Sequence, residues 1–314
     1  MPVQARKHGC SSAMDQFQTY RHLLFSIAYR MTGSASQAED IVQDAYLRYQ
    51  QVESSDIHSL KSYLTTIVVN LSLNYLKSAR VQREEYIGIW LPEPILTSLS
   101  PEESIEETFE RQEAISMAFL VLLETLTPPE RAVFLLHEVF DYSFAEIAEV
   151  ISKSAENCRQ IFHRAKNHLA EKRHRAQVEP EMQRQLSSSF VMACQSGNLS
   201  ALTQLLASDV TAWADGGGKV RAGLLPVSGQ ETVARLCITL THKVPTSHKL
   251  FMEEVNGGPA LLSWSDEHLN WALIFDIAGG AITGLRSILN PDKLAFLQGQ
   301  LERRQAQQQI APWE

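Results

Sequence analysis

The chain has 314 residues, 44% apolar and 20% charged, with 28 Lys and Arg against 36 Asp and Glu for a formal net charge of −8. That length suits two or three domains, and the composition excludes a disordered tract, a collagen-like repeat or a small disulfide scaffold. An acidic total argues against a protein that coats nucleic acid through a wholly basic surface, so any DNA contact must rest on locally concentrated basic charge.

The longest apolar run, Met117–Leu123, has seven residues, against about 18 for a membrane span. No apolar stretch follows Arg6 and Lys7 that would make them the head of a secretion signal, and a cytoplasmic location is expected. Cys10, Cys158, Cys194 and Cys237 lie dozens of residues apart, with neither a zinc spacing nor a disulfide framework. Four reduced, mostly buried thiols are expected, with no metal and no cofactor.

From about Met14 to Arg83 the apolar spacing predicts three helices. Phe17, Tyr20, Leu24, Ile27 and Met31 recur at three- and four-residue intervals in the first, and Gly33 stops it. Ser36-Gln-Ala-Glu39 reads as a capping box that opens the second. The third follows Asp56, with its inner face expected at Leu60, Leu64, Ile67, Val68, Leu71 and Tyr75. Lys61, Asn70, Asn74, Lys77 and Arg80 are left for other faces. Tyr63 and Tyr75 beside Lys77, Arg80 and Arg83 fit a track for single-stranded DNA, which is held by stacking and basic charge, although a plain amphipathic helix explains the spacing equally well.

Residues 84–112 form an acidic linker. Trp90-Leu-Pro-Glu-Pro94 breaks the periodicity, and from Ile87 to Glu113 the seven carboxylates Glu93, Glu102, Glu103, Glu106, Glu107, Glu110 and Glu113 stand against the single Arg111, a net −6. Helical spacing returns over 113–175. Thr127-Pro-Pro-Glu130 starts a helix with prolines in its first turn, Ser143-Phe-Ala-Glu146 is a capping box, and Ser154 begins a helix reaching about Ala170. Two short helices joined by a tight turn have the shape of a helix-turn-helix. Asn157, Arg159, Gln160, His163 and Arg164 then occupy the start of the second helix, the part that reaches base edges. Seven basic residues against Glu156 and Glu171 give Lys153–Arg175 about +5. A solvated basic helix explains that charge as readily.

After Pro180 the pattern becomes α+β over 182–295, followed by a tail at 296–314. Two helices precede a strand ending in Ala214-Asp-Gly-Gly-Gly218, and Ser228-Gly-Gln-Glu231 reads as the cap of a third helix. Strand-like runs at Lys249–Val255, Ala260–Trp264, Asn270–Ile277 and Ala281–Ile288 are separated by glycine turns. A curved antiparallel sheet with helices on one side is expected.

These motifs carry a resemblance. Tyr29-Arg-Met-Thr-Gly33, Ala38-Glu-Asp-Ile-Val-Gln-Asp-Ala-Tyr-Leu-Arg48, Ser62-Tyr-Leu-Thr-Thr-Ile-Val-Val-Asn70 and Asn74-Tyr-Leu-Lys77 resemble region two of the extracytoplasmic-function sigma factors of bacterial RNA polymerase. Leu126-Thr-Pro-Pro-Glu-Arg-Ala-Val-Phe134, Phe144-Ala-Glu-Ile-Ala148 and His163-Arg-Ala165 resemble region four. Trp90-Leu-Pro-Glu-Pro94, Asp215-Gly-Gly-Gly-Lys219 and Asn290-Pro-Asp-Lys-Leu294 are similar to the group with a C-terminal SnoaL-like extension. The resemblance spans about residues 14–295.

The resemblance implies two all-α sigma domains followed by an α+β SnoaL-like cone, in a protein that binds core RNA polymerase and promoter DNA and catalyses nothing. It implies that Asp40, Gln43, Asp44 and Arg48 face the polymerase. Tyr63, Asn70, Asn74, Lys77 and Arg80 would lie along the melted promoter strand, and Asn157, Arg159, Gln160, His163 and Arg164 would read the upstream element as duplex. Trp90, Pro92, Pro94, Asp215, Gly216, Gly217, Gly218 and Lys219 would connect linker and cone as a regulatory contact. No separate anti-sigma partner is evident, and the fused domain is a candidate to stand in for one. An unknown small ligand in the cone is a weaker expectation.

Two rival readings remain open from residues alone: a helix-turn-helix regulator with a ligand-binding domain, and an isomerase or hydrolase fused to a helical partner. An isomerase of the cone type needs an Asp base and a phenolic or carboxylic oxyanion donor. Asp215, Asp266 and Asp276 are candidate bases. All eight tyrosines precede residue 143, which removes the usual phenolic donor from the last domain, and His242, His248 and His268 are more readily read as structural.

Overall fold

The computed structural model describes residues 7–52, 57, 59–97, 116–170 and 178–308, without the side chains of 7–13, 80–84, 170, 307 and 308. The chain divides into two compact units, one of Met1–Gln82 with Leu122–Lys172 and the other of Arg83–Val121 with Arg173–Glu314.

The first unit is helical. Helix α1 (Lys7–Thr32) packs on α2 (Ala35–Tyr49), and α3 (Leu60–Glu84) follows in the chain. Phe17, Leu24, Ile27 and Met31 are buried as their spacing predicts. Gly33 takes the left-handed conformation that ends α1 and donates to the Tyr29 carbonyl at 2.7 Å. The cap of α2 is Ser34, whose hydroxyl accepts from the Gln37 amide. It replaces the expected Ser36, because Glu39 reaches Arg21 at 2.6 Å instead of turning back to the helix start.

The inner face of α3 is also rotated from expectation. Leu64 and Val68 are buried as expected, but Thr65, Val69, Ser72, Leu76 and Ala79 complete the set, while Leu60, Ile67, Leu71 and Tyr75 are half-buried. Two hydroxyls make this possible. Ser72 bonds the Val68 carbonyl, and Thr65 meets the Tyr142 hydroxyl at 2.8 Å, so neither is left unsatisfied inside.

Helices α5 (Pro128–Glu138), α6 (Phe144–Ile151) and α7 (Ala155–Ala170) follow α4 (Met117–Leu123). The Ser143/Glu146 capping box forms at α6, and Glu130 turns back to Thr127 at α5. Arg131 is buried and donates to the Met31 carbonyl at 2.6 Å and to Glu124 at 2.7 Å, tying α5 to the end of α1.

The second unit is built on one six-stranded sheet in the order β2-β1-β6-β5-β4-β3. Its strands are β1 (Leu206–Asp215), β2 (Val227–Ser228), β3 (Lys249–Val255), β4 (Gly258–Ser265), β5 (His268–Ala278) and β6 (Ala281–Ile288). The sheet departs from the expected antiparallel pattern in one pair: β1 runs parallel to β6. Bulges at Ser263/Trp264 and Asp276/Ile277 interrupt the ladders, and such bulges bend a sheet.

Strand alternation divides the side chains between two cores. Phe275, Leu285 and Val210 pack with Phe190, Leu202 and Val233 from α8 (Pro180–Gln195), α9 (Leu199–Leu205) and α10 (Gln230–Thr241). Leu262, Ile274 and Ile288 pack with Leu294, Leu297 and Leu301 of α11 (Pro291–Gln308), and also with Leu91 and Met117. Helix α10 starts at Gly229 rather than at a serine cap, since Ser228 lies in β2 and bonds Thr211. Among the described residues, no helix is long and apolar enough to cross a membrane and no cluster of residues suits a metal ion.

Candidate functional site

On α2, Ile41, Val42 and Ala45 turn inward. That leaves Asp40, Gln43, Asp44 and Arg48 exposed at i, i+3, i+4 and i+8, one continuous stripe. Leu47 lies within it and is 55% exposed.

On α3, Asn70, Asn74 and Lys77 are exposed along one face and Tyr63 is half-buried. The side chain of Arg80 lies outside the described residues. On α7, burial of Cys158, Ile161, Phe162, Ala165 and Leu169 turns Arg159, Gln160, His163 and Arg164 outward, with Asn157 half-buried in the first turn. Ser154 caps this helix, accepting from the Asn157 amide at 3.2 Å. The turn before it passes through Ser152 at φ 54° and ψ 50°, the left-handed position where glycine is commonly found.

In the second unit the segment from Tyr86 to Thr97 is held along the cone by its backbone. Asp215, at the end of β1 and fully buried, accepts from the Tyr86 hydroxyl at 2.5 Å, the Leu91 amide at 2.8 Å and the Lys293 ammonium at 2.6 Å. Lys293 also donates to the Leu91 carbonyl and lies 4.8 Å from the centre of the Tyr86 ring and 4.3 Å from that of Trp90. The ammonium is thereby caged by two linker aromatics. Burial, and then the Asp215 carboxylate, push the Tyr86 phenol well above its ordinary range, so it stays a neutral donor.

The glycine run has a steric role in this arrangement. A Cβ on Gly217 would come 2.2 Å from the Asn290 amide nitrogen and 2.8 Å from the Tyr86 hydroxyl, and one on Gly216 would come 2.2 Å from the Val220 carbonyl. Farther along, the Ile95 and Asn256 backbones pair, Leu96 donates to Gln300 at 2.8 Å, and Leu96 bridges antiparallel to Val255. Pro92 and Pro94 are buried. Lys219 is exposed and pairs with Asp292.

Of the candidate isomerase groups, Asp215, Asp276 and His248 have structural partners. Both Asp215 oxygens are occupied, Asp276 pairs with Arg286 at 2.8 Å, and His248 bonds Ser263 at 2.8 Å. Asp266 and His268 lie exposed at a hairpin. The phenol that the last domain lacks is brought by the linker as Tyr86, but it serves to hold Asp215 rather than to line a reaction site. Tyr86, Asn256 and Gln300 escaped the sequence reading because nothing in their spacing marks them. Asn290 and Lys293 lay inside a quoted motif without a role.

Comparisons with known proteins agree with this division. The family model of Sigma-70 region 2 matches residues 16–81 and that of Sigma-70, region 4 matches residues 116–169. Over 304 residues, 94% of this chain and 96% of the relative, the chain is 32% identical to the ECF RNA polymerase sigma factor SigJ of Mycobacterium tuberculosis. The chain belongs to the ECF RNA polymerase sigma factors. It is also 31% identical over 288 residues, 91% of this chain and 96% of the relative, to "Probable ECF RNA polymerase sigma factor SigI" of the same species. The crystal structure of M. tuberculosis SigJ is similar with a TM-score of 0.72 and 30% identity, covering 90% of this chain and 98% of that one. As an ECF sigma factor the protein is a promoter-recognising transcription-initiation factor that works with RNA polymerase, and is not an enzyme. The exposed stripes on α2 and α3 fall within its region 2 and the α6–α7 pair within its region 4.

Proposed function

We propose that this ECF sigma factor is controlled by its own C-terminal domain, which holds the connection between regions 2 and 4 against the cone. In this reading Asp40, Gln43, Asp44 and Arg48 dock on core RNA polymerase in the cytoplasm. Tyr63, Asn70, Asn74, Lys77 and Arg80 hold the melted strand, and Asn157, Arg159, Gln160, His163 and Arg164 read the upstream duplex. Trp90, Pro92 and Pro94, with Asp215 to Lys219, form the regulatory contact.

The observation that carries the proposal is that Leu91 and Met117, from opposite ends of the connection, are buried in the same core of the cone. A flexible tether sets an effective concentration that varies smoothly with its length. Fixing both ends replaces that freedom with one separation, and so favours particular promoter spacings.

Reconstituted transcription with core polymerase tests the reading on promoters whose two elements are moved apart base pair by base pair. Tyr86→Phe and Lys293→Ala, which loosen the Asp215 contacts, are expected to broaden the range of spacings used. An unchanged spacing profile in both variants rejects control by the cone. Absence of promoter-dependent transcripts with the unmodified chain rejects the assigned contacts themselves.

A further inference from the structure

Arg159, on the outward face of α7, lies with its guanidinium carbon 5.6 Å from the centre of the Phe144 ring. Phe144 is the first residue of α6, and its backbone is fixed by the capping box, in which Ser143 donates to Glu146 through its amide at 2.8 Å and its hydroxyl at 2.7 Å. The ring is wedged as well. It lies 4.2 Å from the His137 ring and 5.7 Å, edge to face, from Phe162, while His137 itself is 2.9 Å from the Tyr142 carbonyl through Nδ1. Phe144 is thus a fixed platform.

Other arginines in the chain are engaged through their N–H edges: Arg21, Arg184, Arg235, Arg286 and Arg304 each pair with a carboxylate. Among the described residues Arg159 has no such pair, and its guanidinium lies over the Phe144 ring. A guanidinium held by a ring rather than by a carboxylate keeps its planar fork of donors for another partner, and guanine O6 and N7 are the base edge that suits that fork. The neighbouring Arg164, equally exposed, has neither ring nor carboxylate beside it among the described residues.

We propose that Phe144 is a positioning residue for promoter specificity, holding Arg159 by a cation–π contact so that its donor edge meets a guanine of the upstream duplex element. The inference rests on the assignment of Arg159 to base reading and deepens it. A free arginine must order a long side chain on binding, and pre-organisation removes part of that cost for the base that accepts both hydrogen bonds. Phe144 therefore acts on discrimination through Arg159 without touching DNA.

The test uses the full chain with core polymerase and promoters in which each base pair of the upstream element is replaced in turn, reading relative transcript yield. Arg159→Ala is expected to lower the preference for guanine at one position about fivefold or more. Phe144→Leu should lower it at that same position by about two- to fivefold, the scale of an exposed cation–π contact. The double variant should match Arg159→Ala alone, and Phe144→Tyr, which keeps the ring, should retain the preference. If Phe144→Leu does not fold, Phe144→Tyr still decides: loss of the guanine preference with normal melting overturns the proposal. Uniform weakening at all positions, or additivity in the double variant, overturns it too. If Arg159→Ala leaves every base preference unchanged, the assignment of Arg159 is what fails.

Discussion

Asp215 shows how residue-scale chemistry separates two uses of the same side chain. A carboxylate poised as a base needs a free lone pair near its substrate, and this one is fully buried with Tyr86, Leu91 and Lys293 as donors. Removing one member of a buried ion pair strands the other charge, so the cluster acts as a unit. Its parts were unequally visible in sequence: the Asp-Gly-Gly-Gly run was plain, whereas Tyr86 lies 129 residues away and carries no spacing signal. Ser152 offers a cleaner residue-scale prediction. A non-glycine residue in the left-handed region is strained by its Cβ, so Ser152→Gly is expected to stabilise the protein by about 0.5–1 kcal/mol, measured as a rise in denaturant midpoint with an unchanged slope. A lower midpoint would mean that the serine is held there by contacts worth more than the strain.

At the scale of elements, the linker behaves as part of the cone. Leu91 is 1% exposed and Ile95 7%, and the Leu96 bridge covers part of the β3 edge, which would otherwise offer unpaired backbone groups. Leu91→Ala is expected to cost about 2–5 kcal/mol of stability, seen as a lower melting temperature of the C-terminal unit and faster proteolysis within residues 83–97. Resistance equal to the unmodified chain would show that the polar contacts suffice alone. Helix ends, the helix-turn-helix and most strand positions were legible because caps, glycine turns and periodicity are local signals. The parallel β1–β6 pair was not, since it joins segments about 70 residues apart with a whole hairpin array between them. The inner face of α3 was read one step off for a related reason: Thr65 and Ser72 count as polar until a tertiary partner or an i−4 carbonyl satisfies them.

At the scale of the whole molecule, the net charge of −8 includes about +5 around α7 and −6 over residues 87–113, with the remaining −7 spread over the rest of the chain. Binding that relies on a few local cations loses affinity steeply with added salt. The isolated chain is expected to bind promoter duplex weakly and to lose that binding between 50 and 200 mM salt, with core polymerase restoring it; tight, salt-resistant binding by the chain alone in a fluorescence titration would contradict this.

The thiols of buried Cys194 and half-buried Cys237 give a second global expectation. Burial pushes Cys194 up to about 11 and Cys237 to about 12, so both should resist alkylation in the native protein at pH 8 and react on unfolding, as mass spectrometry would register. The native state then keeps protons that the unfolded chain releases from about pH 9, so stability should fall as pH rises beyond that value. Rapid native alkylation of either thiol would refute the assigned burial.

The order of the sigma regions, the helical faces other than that of α3, and the presence of an α+β domain were determined by the sequence itself, because each rests on residue types at short, regular spacings. The family resemblance supplied their meaning. Tertiary structure alone decided that Tyr86, Leu91, Asn290 and Lys293 converge on Asp215, and that Leu91 of the acidic linker and Met117 of α4 are buried in one core. Such contacts join residues far apart in the chain, where no periodicity links them and only the folding of the sheet, with its buried charge in need of partners, selects which side chains meet.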